Sequence, residues 1–148
     1  MENNERIQKM WQQKEIILPK YPRGYHLITE HIENALYEMD PIKIGILHVF
    51  ICHTSASLTI NENADSTVRS DFETHMNALC PENAPYYKHN YEGEDDMPAH
   101  IKASLLGSSA SVPVRDHSIC TGTWQGFYLC EHRNNGESRR LILTLMGN

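Results

Sequence analysis

The stretch KIGILHVFIC, residues 43–52, carries the strongest structural signal in the chain. It is rich in β-branched and aromatic side chains, and apolar residues stand at both odd and even positions. A strand with one face in water alternates apolar and polar residues, whereas a strand covered on both faces reads as a continuous apolar run. The stretch therefore predicts the central strand of a sheet. SLTI, residues 57–60, predicts a continuation in extended form.

Further strands are predicted on both sides of this central one. They are KEIILP (14–19), SVPV (111–114), SICTGTW (118–124), GFYLCE (126–131) and RLILTLMG (140–147). NNGE, residues 134–137, has the composition of a tight turn and predicts a hairpin between the last two strands.

Three helices are predicted from capping residues and apolar periodicity. They are residues 30–39 behind Thr29, the segment from Asp65 to Leu79, and residues 98–106, which begin at Pro98 and stop at Gly107. Residues 80–97 predict a long ordered loop, and long loops in compact domains are usually functional or disordered. Together the elements predict one β-dominated α+β domain over residues 1–148, a compact two-layer β-sandwich or half-barrel with two or three helices.

Composition limits the possible function. Apolar content of 40% and charged content of 22% are typical of a soluble globular protein. A net charge of −6 with scattered Lys and Arg disfavours nucleic-acid binding, which needs a basic face. No apolar run approaches the about 18 residues that span a bilayer, and MENNERIQKM lacks the apolar core of a signal peptide. We expect a cytoplasmic protein with no nucleic-acid and no membrane partner.

The cysteines and histidines differ in what they predict. No two of the four cysteines have C-x-x-C spacing, and Cys52, Cys120 and Cys130 lie in apolar surroundings that predict reduced core thiols. Nine histidines are many for a small acidic domain, so some of them are candidates for ligands or acid–base groups.

The first candidate site is CHTSASLTINENAD, residues 52–65, where the central strand runs into an imidazole and small hydroxyls. Ser55 or Ser57 together with His53 would indicate a nucleophilic serine, but a triad is recognised by geometry and not by adjacency. The sequence favours the alternative, in which the hydroxyls bind backbone groups at the end of a strand.

The second candidate is KHNYEGEDDMPAH, residues 88–100, in which His89 and His100 enclose four carboxylates. Divalent metals bind imidazole nitrogens and carboxylate oxygens that converge from separate segments. By spacing alone a solvated acidic loop is the favoured interpretation. Asp95 and Asp96 then complement the dipole of the following helix, and Glu92 and Glu94 are loop or subunit-contact charges.

The third candidate is GTWQ, residues 122–125, followed by CEHR and ESRR. Trp124 is either a plate that stacks on a heterocycle or a core anchor, and the anchor is favoured because most Trp side chains are largely buried. Arg139 and Arg140 have the fork that binds phosphate, but they alternate across a strand, so at most one faces a given site.

These motifs occur together and in order: HTSAS with Asn61, then His89, His100 and Lys102, then GTWQ and Glu131. In this combination the chain resembles the YjbQ family, also called UPF0047. The resemblance implies a mostly β homotrimer with a histidine pocket near a subunit boundary that binds a divalent metal (Zn, Mn or Mg). It also implies thiamine-phosphate synthase activity, which joins an aminopyrimidine diphosphate to a thiazole phosphate and releases pyrophosphate. The chain departs from the family at Asp116 and His117, where a glycine is usual.

The resemblance also assigns roles to individual residues. It implies His53, His89 and His100 as metal ligands, and His53, Glu131 and Lys102 as catalytic groups. It further implies a set that binds a small phosphorylated metabolite: Ser55, Ser57, Asn61, Gln125 and Arg139. Two alternatives stay open, a metal-dependent hydrolase of a phosphorylated or ester metabolite and a non-catalytic trimer that holds a metal or small anion. The Gly-rich phosphate cradle of many pyrophosphate-binding enzymes is missing from the sequence.

Overall fold

A computed structural model describes residues 11–148 of the chain. The segment MENNERIQKM, with its predicted lack of a signal sequence, lies outside the described residues, as does the start of the predicted 1–148 domain. The elements follow in the order β1 (Trp11–Ile17), β2 (Gly24–Leu27), α1 (Thr29–Tyr37), β3 (Ile44–Ile51), β4 (Ala56–Glu62), α2 (Ser66–Leu79), α3 (Asp96–Leu106), β5 (Ser109–Arg115), β6 (Ser118–Ile119), β7 (Gln125–Glu131) and β8 (Arg140–Gly147). None of the described helices is long and apolar enough to cross a membrane.

The strands form two antiparallel sheets. The larger has the order β1-β8-β3-β5-β6, and the smaller has the order β2-β7-β4. β3 is the middle strand of the larger sheet, which confirms the prediction from residues 43–52. The larger sheet curls into a half-barrel against the smaller one, so the predicted β-dominated α+β class with up to three helices is confirmed.

The main core lies on the inner face of the larger sheet. Alternate residues of its central strands are almost completely buried there, namely Leu47, Val49 and Ile51 of β3 and Leu141, Leu143 and Leu145 of β8. Each such side chain contributes roughly 1.5–3 kcal/mol by leaving water. The period-two pattern that places them inward leaves the intervening residues on the opposite face.

The outer face of β3 differs from its prediction as a strand covered on both sides. Ile44, Ile46 and Phe50 are 70%, 45% and 40% exposed within the described chain. The continuous apolar run is therefore half core and half accessible surface.

Helix starts show which capping signals operate. Asp65 caps α2 as predicted, because its Oδ1 accepts the backbone N–H of Thr67 at 2.9 Å. The predicted cap at Thr29 is wrong: Thr29 is the first residue of α1, and its hydroxyl accepts the N–H of Phe127 in β7. Thr29 thus docks the helix on the smaller sheet. α3 begins at Asp96, two residues before Pro98, and ends before Gly107 as predicted.

One predicted turn and the connection between β5 and β6 differ from expectation. Residues 132–139 do not close a hairpin, because β7 and β8 lie in different sheets and this segment crosses between them. The turn between β5 and β6 carries Asp116 and His117 at φ +50° and +55°, a region that favours glycine. The family's usual glycine at this turn fits that backbone.

Trp124 is not the predicted core anchor. It is 66% exposed and lies in the turn before β7. All four cysteines are free, and of the three predicted as core thiols only Cys130 is fully buried.

Candidate functional site

Buried polar side chains concentrate in three segments of the chain: the start of β4, α3 with the residue before it, and the end of β7 with the residues that follow. They are Ser55, Ser57, Asp95, Asp96, Lys102, Glu131, His132 and Arg139. Burying polar groups costs free energy unless each finds a partner, so a set of this size marks a region built for more than packing.

Four side chains in this region converge on one point, and Asp96 is the one of them that belongs to the buried set. His89, Glu92, Asp96 and His100 each offer one ligand atom, and these atoms lie within 4.8 Å of one another. Asp96 Oδ2 is 2.7 Å from His89 Nε2 and 3.2 Å from His100 Nε2. Asp96 and His100 share a face of α3 because they are four residues apart, and the preceding loop brings His89 and Glu92 to that face.

The tautomer of His100 is set by its second contact. His100 Nδ1 lies 3.0 Å from the carbonyl oxygen of Thr54. A carbonyl only accepts, so Nδ1 carries the proton and Nε2 faces the carboxylate of Asp96. In a neutral ring that arrangement sets two lone pairs against each other. A cation between them converts the repulsion into two ligand bonds.

The spacing of the donors fits a metal ion. Metal–ligand distances of about 2.0–2.2 Å place neighbouring ligand atoms about 3 to 3.5 Å apart in tetrahedral or octahedral geometry. The observed separations are 2.7, 3.2 and 3.7 Å, the last between Glu92 Oε2 and His89 Nε2. These separations bracket the range, so the four residues offer the donor atoms of a divalent-metal site, and small side-chain shifts would bring them to coordination geometry.

Arg133 holds the carboxylate in place. Its Nη1 donates to Asp96 Oδ1 at 2.7 Å, its Nε donates to Asp95 Oδ2, and its Nη2 donates to the backbone oxygen of Glu92. Oδ2 of Asp96 is left to face the histidines. Burial acts to raise the pKa of Asp96, but hydrogen bonding to His89 and the nearby charge of Arg133 outweigh it, so the pKa lies below its usual range.

His53, expected as a third histidine ligand, lies outside this cluster. Its Nε2 accepts the backbone N–H of Arg140 at 2.8 Å. The side chain lines a cavity of about 320 Å³ that also has His100 in its wall. The structure thus brings His89 and His100 together and places His53 next to them across a cavity.

Glu131 and Arg139 form a buried ion pair. Arg139 Nε and Nη2 donate to the two carboxylate oxygens of Glu131 at 2.7 and 2.6 Å, and Nη2 also donates to Ser55 Oγ. Gly136 lies against the pair, and a Cβ at that position would overlap Glu131 Oε1. Glu131, implied by the resemblance as a catalytic group, therefore has both carboxylate oxygens bound to an arginine.

Ser57 pairs with a histidine other than His53. Ser57 Oγ lies 2.8 Å from His132 Nε2, and both side chains are fully buried. His132 Nδ1 has no hydrogen-bond partner in the described chain, so the third member of a triad is missing. The pair is inaccessible and does not form a nucleophilic site. Burial, together with the charge of Lys102, lowers the pKa of His132 to about 3.

Lys102 points away from the histidine cluster. It follows His100 by two residues on α3, which places it on the opposite side of the helix. Its Nζ donates to Asn77 Oδ1 at 2.7 Å in a buried setting. Burial and the neighbouring charge of Arg23 lower the pKa of Lys102.

Asn61 and Gln125 are exposed and make local hydrogen bonds. Asn61 Oδ1 accepts the N–H of Glu62, and Gln125 Oε1 accepts the N–H of Gly122. Neither belongs to the histidine cluster.

The sequence interpretation missed three members of the site. Asp96 and Glu92 were assigned to the helix dipole and to loop charge, although the four-residue spacing of Asp96 and His100 was a usable signal. Arg133 had no such signal, because it follows Asp96 by 37 residues and meets it only through the fold.

Comparison with known proteins gives a consistent match. The family described as UPF0047 protein YjbQ-like matches residues 14–148. UPF0047 protein YjbQ of Salmonella typhimurium is 52% identical over 138 residues, which cover 93% of this chain and 99% of that protein. An uncharacterized conserved protein of the yjbq/upf0047 family from Clostridium acetobutylicum is 34% identical with a TM-score of 0.73, covering 88% of this chain and 97% of that one.

A protein of unknown function from Sulfolobus solfataricus has the same fold, with a TM-score of 0.83 at 24% identity over 93% of this chain and 98% of its own. None of these descriptions names a reaction. The thiamine-phosphate synthase activity expected from the resemblance is therefore wrong as an identification: the matching family carries only the name UPF0047, and that name is not one of a thiamine-phosphate synthase.

Proposed function

The chain belongs to the UPF0047 family of YjbQ-like proteins, and we propose that it is a divalent-metal-binding protein whose centre consists of His89, Asp96 and His100, with Glu92 as a fourth ligand. One observation carries the proposal: Asp96 Oδ2 faces two imidazole nitrogens at 2.7 and 3.2 Å. Because Nδ1 of His100 carries the proton, Nε2 presents a lone pair to the site unless the ring gains a second proton.

The donor set favours particular metals. Imidazole with carboxylate suits Zn²⁺, Mn²⁺ and Fe²⁺, whereas Mg²⁺ prefers oxygen ligands alone. A metal bound here would act as a Lewis acid on a coordinated oxygen. The chain itself supplies the orientation: Arg133 holds Asp96, and the Thr54 carbonyl holds His100.

Metal analysis of the purified protein tests the proposal. We expect about one zinc or manganese ion per chain, and a loss of affinity of more than about 100-fold in His89→Ala/His100→Ala. His75→Ala is the matched control, because His75 is exposed and lies outside the cluster. Undiminished metal binding by the folded double variant would rule out this centre.

We also propose that copies of the chain assemble through the outer face of the larger sheet, and that the assembly is the homotrimer implied by the family resemblance. Strand pairing aligns apolar residues across this face in two rows. They are Trp11, Met146, Ile46 and Pro113 in one and Ile142 and Phe50 in the other. A polar row of Gln13, Thr144, His48 and Ser111 lies between them. Apolar side chains that stay accessible in rows on one sheet face support an interface there.

A further inference from the structure

The cavity beside the proposed metal centre has features that the metal alone does not use. Its volume is about 320 Å³, within the range of small-molecule sites, and His53 and His100 both belong to its wall. Thr54 connects the two histidines, because it follows His53 in the chain and its carbonyl fixes His100. His53 and the proposed metal ligand His100 therefore line the same cavity.

The protonation of His53 follows from its hydrogen bond. The backbone N–H of Arg140 only donates, so Nε2 of His53 is the acceptor and the proton of the neutral ring sits on Nδ1. Burial, followed by the positive charge of Arg139, lowers the pKa of His53, which favours the same neutral ring. Nδ1–H has no partner within the described residues and remains a free donor.

The remaining wall suits an oxygen-bearing group. It contains the hydroxyls of Ser104 and Ser108, the small residues Ala56 and Gly107, and no acidic side chain. The backbone oxygens of Ala103 and Gly107 at the C-terminal end of α3 already accept N–H groups of Gly107 and Leu58. The hydroxyls of Ser104 and Ser108 are thus available to donate to a ligand in the cavity, together with His53 Nδ1–H.

We propose that His53 is a hydrogen-bond donor, not a metal ligand, and that its Nδ1–H binds an oxyanion, a carboxylate or phosphate group, of a small ligand held at the metal centre. The inference rests on the proposed metal-binding function. It replaces the metal-ligand role that the resemblance implied for His53 with a role in binding an oxygen atom of that small ligand.

Two substitutions separate the functions of the two ring nitrogens. In His53→Asn the amide nitrogen falls near the position of Nδ1 and keeps a donor there. In His53→Gln the longer side chain reaches the position of Nε2, where its oxygen accepts from Arg140, and the donor at Nδ1 is lost. The full-length, zinc-loaded protein, dialysed free of excess metal, is titrated calorimetrically with inorganic phosphate and, separately, with acetate.

We expect zinc affinity to be the same in wild type and both variants. The affinity for the preferred anion should fall about 10- to 100-fold in His53→Gln, as for a lost hydrogen bond to a charged group, and should be largely retained in His53→Asn. The preferred probe shows whether the ligand class is phosphate or carboxylate. Equal anion affinity in wild type and His53→Gln, or a tenfold loss of zinc affinity in His53→Gln, would overturn the proposal. Absence of zinc binding in the wild type would instead overturn the metal centre itself.

Nuclear magnetic resonance gives an independent readout in the wild-type protein. Long-range ¹H–¹⁵N correlations should show His53 protonated on Nδ1 and unprotonated on Nε2 at pH 7, with the signals assigned by their loss in His53→Gln. Zinc should leave this pattern unchanged, and the preferred anion should shift the Nδ1 signal. A His53 ring protonated on Nε2, or one whose nitrogen signals change on zinc binding as for a ligand, contradicts the proposed role.

Discussion

The carboxylate of Asp96 joins the two parts of the candidate site. One oxygen accepts from Arg133 and the other faces His89 and His100. A carboxylate that is free to rotate would lose this arrangement in most of its conformations. The arginine therefore prepares the site before any ion arrives, in the way that outer partners of metal ligands generally do.

Replacement of Arg133 by Met should weaken metal binding while all four ligands remain. We expect a 10- to 100-fold loss of zinc affinity, because Asp96 loses the donor that orients it. Competition with a chromogenic chelator measures the change. Arg140→Met is the control, since Arg140 is exposed and its side chain pairs with Glu15 outside the site. Equal zinc affinity in Arg133→Met would show that Asp96 needs no such support.

Burial of His132 predicts a dependence of stability on pH. Its pKa is about 3 in the folded protein and near 6.5 when exposed, so the unfolded chain binds the proton more readily. The contribution of neutral His132 is complete above pH 6.5 and is lost as pH falls toward 3.

Urea unfolding across this pH window tests the effect. The free energy of unfolding should fall more steeply in the wild type than in His132→Gln, by a few kcal/mol at the acid end. The glutamine keeps a polar group near Ser57 but does not titrate. Parallel pH profiles of the two proteins would contradict the burial of a neutral imidazole at this position.

At the scale of elements, α3 separates two polar environments. One face carries Asp96 and His100 toward the loop that holds His89, and the opposite side carries Lys102 toward Asn77 in α2. The helical repeat of 3.6 residues per turn explains the division, because residues four apart align and residues two apart diverge. Lys102 is therefore close to His100 in the sequence, but its side chain lies on the other side of the helix from the histidine cluster.

Lys102→Met should leave metal affinity unchanged. The apolar side chain has a similar volume, and Asn77 Oδ1 keeps a donor from Arg23 at 2.6 Å, so the free energy of unfolding should change by less than about 2 kcal/mol. His100→Met, on the other face of the same helix, should abolish most metal binding. Calorimetric titration with zinc compares the two variants. A loss of zinc affinity in folded Lys102→Met would place Lys102 in the site after all.

At the scale of the whole molecule, the two sheets have different surroundings. The smaller sheet is packed by helices and carries the ends of β4 and β7 that hold the buried polar residues. The larger sheet buries one face and leaves Ile46 and Phe50 accessible on the other. β3 is therefore apolar on both faces although only one of them is packed in the core.

The substitution Phe50→Glu should dissociate the proposed trimer. A charge introduced at an apolar contact position must lose its hydration on association, which disfavours the trimer. Light scattering after size-exclusion chromatography should give the 17.0 kDa mass of one chain for the variant and three times that mass for the wild type. Leu79→Glu, at an exposed position at the end of α2, should leave the wild-type mass unchanged. A monomeric wild type, or a trimeric Phe50→Glu, would contradict the proposed interface.

Local features of the sequence determined three parts of this fold, whereas β2 was not predicted and the strand predicted over residues 118–124 is limited to Ser118–Ile119. The apolar run at residues 43–52 determined the central strand, Asp65 determined the start of α2, and Gly107 determined the end of α3. These predictions succeeded because periodicity, capping and backbone restrictions act within a few residues.

Only the tertiary structure decided which of the polar residues meet. The segment after β7 crosses to the other sheet instead of turning back, and that crossing brings Arg133 to Asp96 and Arg139 to Glu131. His53 and His100 line one cavity because α3 packs against β4, the strand that follows His53. Such meetings depend on sheet order and on the packing of α3, which involve residues far apart in the chain. No local pattern encodes them, so the sequence identified the histidines as candidates and the fold selected the two that share Asp96.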